Sequence, residues 1–199
     1  MSSSKLAGKD LDVKQPSVLE GQPCPVCKSN TLTLREAEVE VPFFGKLYLY
    51  SMDCSNCGFH KADVESAIQK PPVKIQFTVE GDKDLRVRVV KSSKARITLK
   101  GIGSIEPGIE SNGYITNVEG LISRFKHQVQ VILDSEDQDS DARAKAKKLL
   151  KKLNRILAGW DKAVLIIEDE SGNSAILSEK AVTTRLKSST KKAKASRKK

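Results

Sequence analysis

CPVCKSNTLTLREAEVEVPFFGKLYLYSMDCSNCG, residues 24–58, is the stretch that decides the fold. Two Cys-x-x-Cys pairs, Cys24/Cys27 and Cys54/Cys57, bracket 26 residues. Thiolates at that spacing hold two corners of a tetrahedron from one tight turn, and two such turns close a metal site with bonds of about 2.3 Å. Four protein ligands leave no open position, so the pattern points to one structural Zn²⁺. An iron centre would use the same four sulfurs. A redox dithiol needs one pair at a helix start, which two pairs flanking a hairpin do not offer. Pro23 and Gly58 flank the knuckles and suit tight backbone there, and His60 reads as an exposed ribbon residue rather than a ligand. Between the pairs, TLTLREAEVEV (31–41) and KLYLYSM (46–52) alternate as antiparallel strands turned near Pro42 to Gly45. So small a ribbon has little core, and the metal supplies what the core lacks.

Working outward, the formal charge of +10 invites a guess of nucleic-acid binding. Its distribution weakens that guess. Arg185 to Lys199 holds 8 basic residues and no acid, and subtracting them from 35 leaves 27 cations against 25 anions, a net of +2. No run approaches the ~20 apolar residues of a membrane span. The N-terminus, MSSSKLAGKD, has no apolar signal region, and four cysteines are too few for a disulfide scaffold. These features point to a cytoplasmic protein with no membrane contact.

Residues 1–20 lack periodicity and read as a mobile arm, 21–70 as the ribbon, 71–180 as a second domain opened by Pro71-Pro72, and 181–199 as a disordered basic tail. The second domain has strand-like runs at 73–79, 85–90, 95–100 and 163–170, with a turn at 80–82 and a loop with a short strand over 101–115. Thr116 to Glu119 fits a capping box with Thr116 as N-cap. Val118, Leu121, Ile122, Phe125, Val129 and Ile132 then form a helical stripe. A second helix starts near Ser140, buries Ala142, Ala146, Leu149, Leu150, Leu153, Ile156 and Leu157, and ends at Gly159. The fold class is mainly β with α (α+β).

The run VPFFGKLYLYSMDCSNCGFHKADVE (41–65) resembles the ZPR-type zinc-finger family, whose ribbon carries Pro-Phe-Phe between the pairs and a Cys-x-x-Cys-Gly ending. GYITNVEGLI (113–122) is similar to the family's threonine–valine–glutamate–glycine segment, and DESGNS (169–174) to its Asp-Pro-x-Gly-Asn-Ser loop, with the proline missing here. The resemblance covers about residues 20–180. Eukaryotic members carry two tandem modules, and the single module here looks like the archaeal form. The resemblance implies a zinc ribbon followed by a β-helix or jelly-roll-like sheet domain with helices. It also implies a partner, a translation elongation factor 1-alpha-type GTPase that the protein binds and helps to fold.

Several residues are candidates for contact. Pro42, Phe43 and Phe44 form the hairpin tip; either an aromatic there is exposed as an anchor for the partner, or both pack against the second domain. Gly172, Asn173 and Ser174 are read either as a hairpin turn with side-chain-to-backbone bonds or as a contact loop. The second helix carries acids near its start and seven basic residues over 143–155, read mainly as a solvated face. An alternative function is RNA or ribosome association through Lys191, Lys192, Lys194, Arg197, Lys198 and Lys199, by non-specific charge. No catalytic triad, phosphate loop or dinucleotide fingerprint is present, so an enzyme is not expected.

Overall fold

A computed structural model of the chain describes residues 12–41, 44–135 and 141–186. The ribbon is one five-stranded antiparallel sheet built from β1 (Asp12–Val13), β2 (Ser17–Gln22), β3 (Leu32–Val41), β4 (Gly45–Cys54) and β5 (His60–Ser66). The hairpin pairs β3 with β4 over their full length, from Val41 opposite Gly45 to Leu32 opposite Cys54. That register returns the chain to the first knuckle and brings the second beside it. From Asp12 onward the expected arm is corrected to strand, because β1 and β2 both pair with β3. β2 is exposed nearly throughout, so it has no buried face to impose alternation on its sequence.

The second domain contains β6 (Val73–Val79), a short α1 (Asp82–Leu85), β7 (Arg88–Lys91), β8 (Arg96–Leu99), β9 (Gly103–Ile105), β10 (Tyr114–Asn117), α2 (Val118–Ser135), α3 (Asp141–Leu157), β11 (Ala163–Asp169), β12 (Ala175–Ile176) and β13 (Val182–Arg185). They form two sheets, in the orders β13-β6-β11-β8-β9 and β10-β7-β12. This is the jelly-roll domain that follows the zinc ribbon. Ile75, Phe77 and Val79 of β6 meet Leu165 and Ile167 of β11 in the main core, and α2 and α3 cover it with Leu121, Ile122, Phe125, Leu153 and Ile156. β13 pairs with β6, so the expected tail from residue 181 is corrected to strand as far as Arg185.

The capping expectation is also corrected. Thr116 lies in β10, and the side chain of Asn117 caps α2, its Oδ1 accepting from the Gly120 N–H at 2.8 Å. The apolar stripe of α2 passes from Val129 to Leu133, which packs against the core, rather than to Ile132, which is half exposed. On α3, Ala142 is exposed. The end of α3 follows expectation: Gly159 has φ 73°, and the Trp160 N–H reaches back to the Arg155 carbonyl at 2.9 Å.

The three-stranded sheet is a middle layer. Successive side chains in a strand point to opposite faces. Val89 of β7 therefore enters the main core, while Val90 packs with Val39, Val41, Leu47 and Val64 of the ribbon. β12 does the same, with Ile176 on the core side and Ala175 on the ribbon side. Ribbon and jelly roll thus share a hydrophobic junction rather than only a linker.

Candidate metal centre and the ribbon tip

The two knuckles have the same backbone pattern. Lys28 N–H donates to the Cys24 carbonyl and Gly58 N–H to the Cys54 carbonyl, each at 3.0 Å. Cys24 N–H donates to Ser29 O and Cys54 N–H to Phe59 O, each at 2.9 Å. The fourth residue after each leading cysteine turns left-handed: Lys28 at φ 63° and Gly58 at φ 72°. Only the second knuckle places glycine there.

These turns bring all four cysteine Sγ atoms within 4.8 Å of one another. Cys24 and Cys57, and likewise Cys27 and Cys54, stand 3.7 Å apart. A regular tetrahedron with metal–sulfur bonds of 2.3 Å has sulfur–sulfur edges of about 3.8 Å. The donor set therefore fits one structural Zn²⁺, held in a closed four-sulfur shell. Cys24, Leu32 and Cys54 form a small core of their own, with Leu34 and Phe59 against it.

Hydroxyls support the sulfurs. Ser29 Oγ lies 2.9 Å from Cys27 Sγ, Thr31 Oγ1 lies 3.3 Å from Cys54 Sγ, and the two hydroxyls are 3.2 Å apart. Hydrogen bonds from Asn56 and Ser29 hold the Cys27 thiol down at about 5, and the Thr31 hydroxyl holds Cys54 below the ordinary thiol range. At Cys57 the Phe59 N–H pulls downward, but burial and the neighbouring sulfurs push the thiol up to about 12. Four sulfurs this close resist shared ionisation, which a divalent cation reverses. Ser29 and Thr31 were not singled out in the sequence; their place directly after the first knuckle is the signal that marks them. His60 stands apart from the ligand set, with Nδ1 2.6 Å from Asp53 Oδ1, as its exposed reading anticipated.

At the other end of the hairpin, Pro42 and Phe43 lie outside the described residues. Phe44 packs against the junction between ribbon and jelly roll. Lys70 clamps it, donating from Nζ to the Phe44 carbonyl at 2.7 Å and lying 3.0 Å above its ring centroid. Burial lowers the Lys70 pKa. Phe44, Lys70, Pro71, Ile75, Ile176 and Leu177 border a largely apolar cavity of about 460 Å³.

The 169–174 loop works inside the molecule. Asp169 is fully buried, and its carboxylate accepts from Ser92 Oγ (2.9 Å), Ser174 Oγ (2.7 Å), Ser171 Oγ (2.7 Å) and Ser171 N–H (2.9 Å). Asn173 Oδ1 accepts from the Ser66 N–H at the end of β5, tying the loop to the ribbon. Gly172 has φ 73°, and a Cβ built there would stand 2.5 Å from the Pro71 carbonyl oxygen. Gly172 and Ser174 are buried within this side-chain-bonded turn, and both also border the apolar cavity beside Phe44. The basic residues Lys191, Lys192, Lys194, Arg197, Lys198 and Lys199 lie outside the described residues. Among the described residues no helix is long and apolar enough to cross a membrane.

Comparison with known proteins agrees with this architecture. A model of the ZPR1 zinc-finger domain matches residues 18–72, and one of the ZPR1 jelly-roll domain matches residues 83–198. A ZPR1-like protein of Methanocaldococcus jannaschii is 32% identical over 161 residues, covering 78% of this chain and 79% of its own. One of Pyrococcus horikoshii is 30% identical over 183 residues, covering 90% and 82%. The zinc finger chaperone zpr1 of Schizosaccharomyces pombe is 31% identical over 162 residues, which are 77% of this chain but 33% of that protein.

Proposed function

Because the chain belongs to the ZPR1 zinc-finger family, we propose that it is a zinc-structured protein-binding module that binds a translation elongation factor 1-alpha-type GTPase and assists its folding. A closed four-sulfur site has no open coordination position, so its work is to shape a surface rather than to run a reaction. The name of the fission-yeast relative, a zinc finger chaperone, supports the reading. The observation that carries it is the apolar cavity at the ribbon tip, where Lys70 clamps Phe44. A concave apolar site with one half-buried cation suits an apolar anchor from a client chain. We assign partner contact to Pro42, Phe43, Phe44, Gly172, Asn173 and Ser174, of which Phe44, Gly172 and Ser174 border the cavity. A cytoplasmic setting goes with such a partner, and the division near Pro71-Pro72 is kept as the boundary between the two domains.

The test is copurification of the GTPase from cell extract with the full chain and with the double variant Phe43→Ala/Phe44→Ala, with zinc content measured in both. Capture by the first and at least a tenfold loss in the second, at equal zinc, supports the reading. Equal capture, or none by either, removes it. A truncation that tests the tail belongs after Leu186, whose N–H still bonds the Pro72 carbonyl at 2.9 Å. Capture that survives this truncation argues against the tail-based RNA or ribosome alternative.

A further inference from the structure

Trp160 is the chain's sole tryptophan, and 74% of its surface is exposed. It follows the Gly159 cap of α3, a position whose apolar side chain commonly folds back onto its helix. Here it borders a shallow cavity of about 560 Å³ on the outer side of α3, together with Lys147, Leu150, Lys151, Arg155 and Ala158. Lys147, Lys151 and Arg155 recur at i, i+4 and i+8, a row of cations rising about 6 Å per step. Residues 142–160 contain seven cations and no acid. Among the described residues, the side chains of Lys147 and Lys151 have no ion pair or hydrogen bond. Arg155 is engaged by Asp161 through two 2.8 Å bonds, and its guanidinium stands 5.9 Å from the Trp160 ring.

We propose that this face of α3 binds single-stranded nucleic acid, with a base stacked on Trp160 and the backbone following Lys147 and Lys151. Stacking platforms beside a cation-lined track are how single strands are held without sequence readout. An acidic peptide would use the cations and leave the indole idle. A duplex keeps its bases stacked on one another and offers none to the ring. A strand with free bases uses both features together. The site is distinct from the ribbon tip and from the chain's basic C-terminal run, and the inference does not rest on the GTPase reading.

The full chain is titrated with a 12-nucleotide oligouridylate at several salt concentrations, following Trp160 fluorescence and the anisotropy of labelled RNA. Binding quenches the fluorescence. Trp160→Ala weakens binding about 5- to 150-fold, the range for one stacked base. Lys147→Ala/Lys151→Ala lowers the slope of log affinity against log salt by about 1.4, from about 0.7 per phosphate contact on a single strand. Both variants alter exposed side chains, and unchanged circular dichroism confirms their fold. RNA binding with unquenched Trp160 and with unchanged affinity and slope in the variants places the strand elsewhere, on the C-terminal run, and overturns the proposal. So does equal quenching by polyglutamate, which would make the face a site for acidic protein.

Discussion

Lys28 and Gly58 occupy equivalent corners of the two zinc knuckles, both left-handed, and only one is glycine. A side chain with a Cβ in that conformation costs roughly 1–2 kcal/mol, offset in part by the greater freedom glycine loses on folding. Lys28 recovers some of this by donating from Nζ to the Pro25 carbonyl at 2.9 Å. Lys28→Gly is therefore expected to be neutral or to stabilise by up to about 1 kcal/mol. Gly58→Ala is expected to destabilise by about 1 kcal/mol. Denaturant unfolding of the zinc-loaded proteins checks both; a destabilising Lys28→Gly or a stabilising Gly58→Ala would show that the knuckles are not equivalent. The four ligands were legible from spacing alone, because thiolate coordination fixes residue type and separation together. Lys28 was not, because a strained lysine leaves no mark on composition or periodicity.

Within the loop that follows β11, adjacent acids have opposite roles. Asp169 is enclosed by three serines, whereas Glu170 is exposed at the second position of a turn that the Gly172 N–H closes onto the Asp169 carbonyl at 3.4 Å. Asp169→Ala leaves buried hydroxyls without their acceptor and is expected to cost about 3 kcal/mol or more. The second turn position suits proline, which the resembling family carries there. Glu170→Pro is expected to stabilise by about 0.4–1 kcal/mol through the unfolded chain. Thermal unfolding of the two variants compares them directly; a destabilising proline would mean that the Glu170 N–H has a partner in the folded state. The motif was readable as a turn, yet its inward direction was not, because Asp169 looks in sequence like any acid ending a strand. Elements with a buried face, β3, β4, β6 and β11, were likewise visible through alternation. Exposed β2 and β13 carry no such signal; they exist because a neighbouring strand offers a free edge.

At the scale of the molecule, the junction formed by Val39, Val41, Leu47, Val64 and Val90 makes ribbon and jelly roll one cooperative unit. Five such buried side chains contribute roughly 8–15 kcal/mol of gross burial, as an upper bound. That is comparable to the net stability of a whole domain. Removing zinc with a chelator is expected to lower one calorimetric transition, not to melt a separate ribbon while the jelly roll holds. Two resolved transitions would refute a shared core. Acid acts in the same direction. The Cys27 thiol is held at about 5 in the folded ribbon, below the ordinary thiol value of about 8.5. A depressed folded pKa contributes stability above the unfolded value that is lost as pH falls through the folded one. Because protons compete with the metal for all four thiolates, zinc retention is expected to weaken as pH falls below neutral, measured with a colorimetric zinc dye; a flat profile between pH 8 and 4 contradicts it.

The middle layer also sets an order in time. The ribbon is complete once Ser66 has left the ribosome, but Ala175, which covers part of its apolar face, comes 109 residues later, the difference of 175 and 66. At the usual elongation rate of about 5–20 residues per second, that leaves the part of this face covered by Ala175 open for about 5–20 s. For that interval the nascent ribbon is itself a protein in need of shelter, with its own zinc the first protection it can acquire.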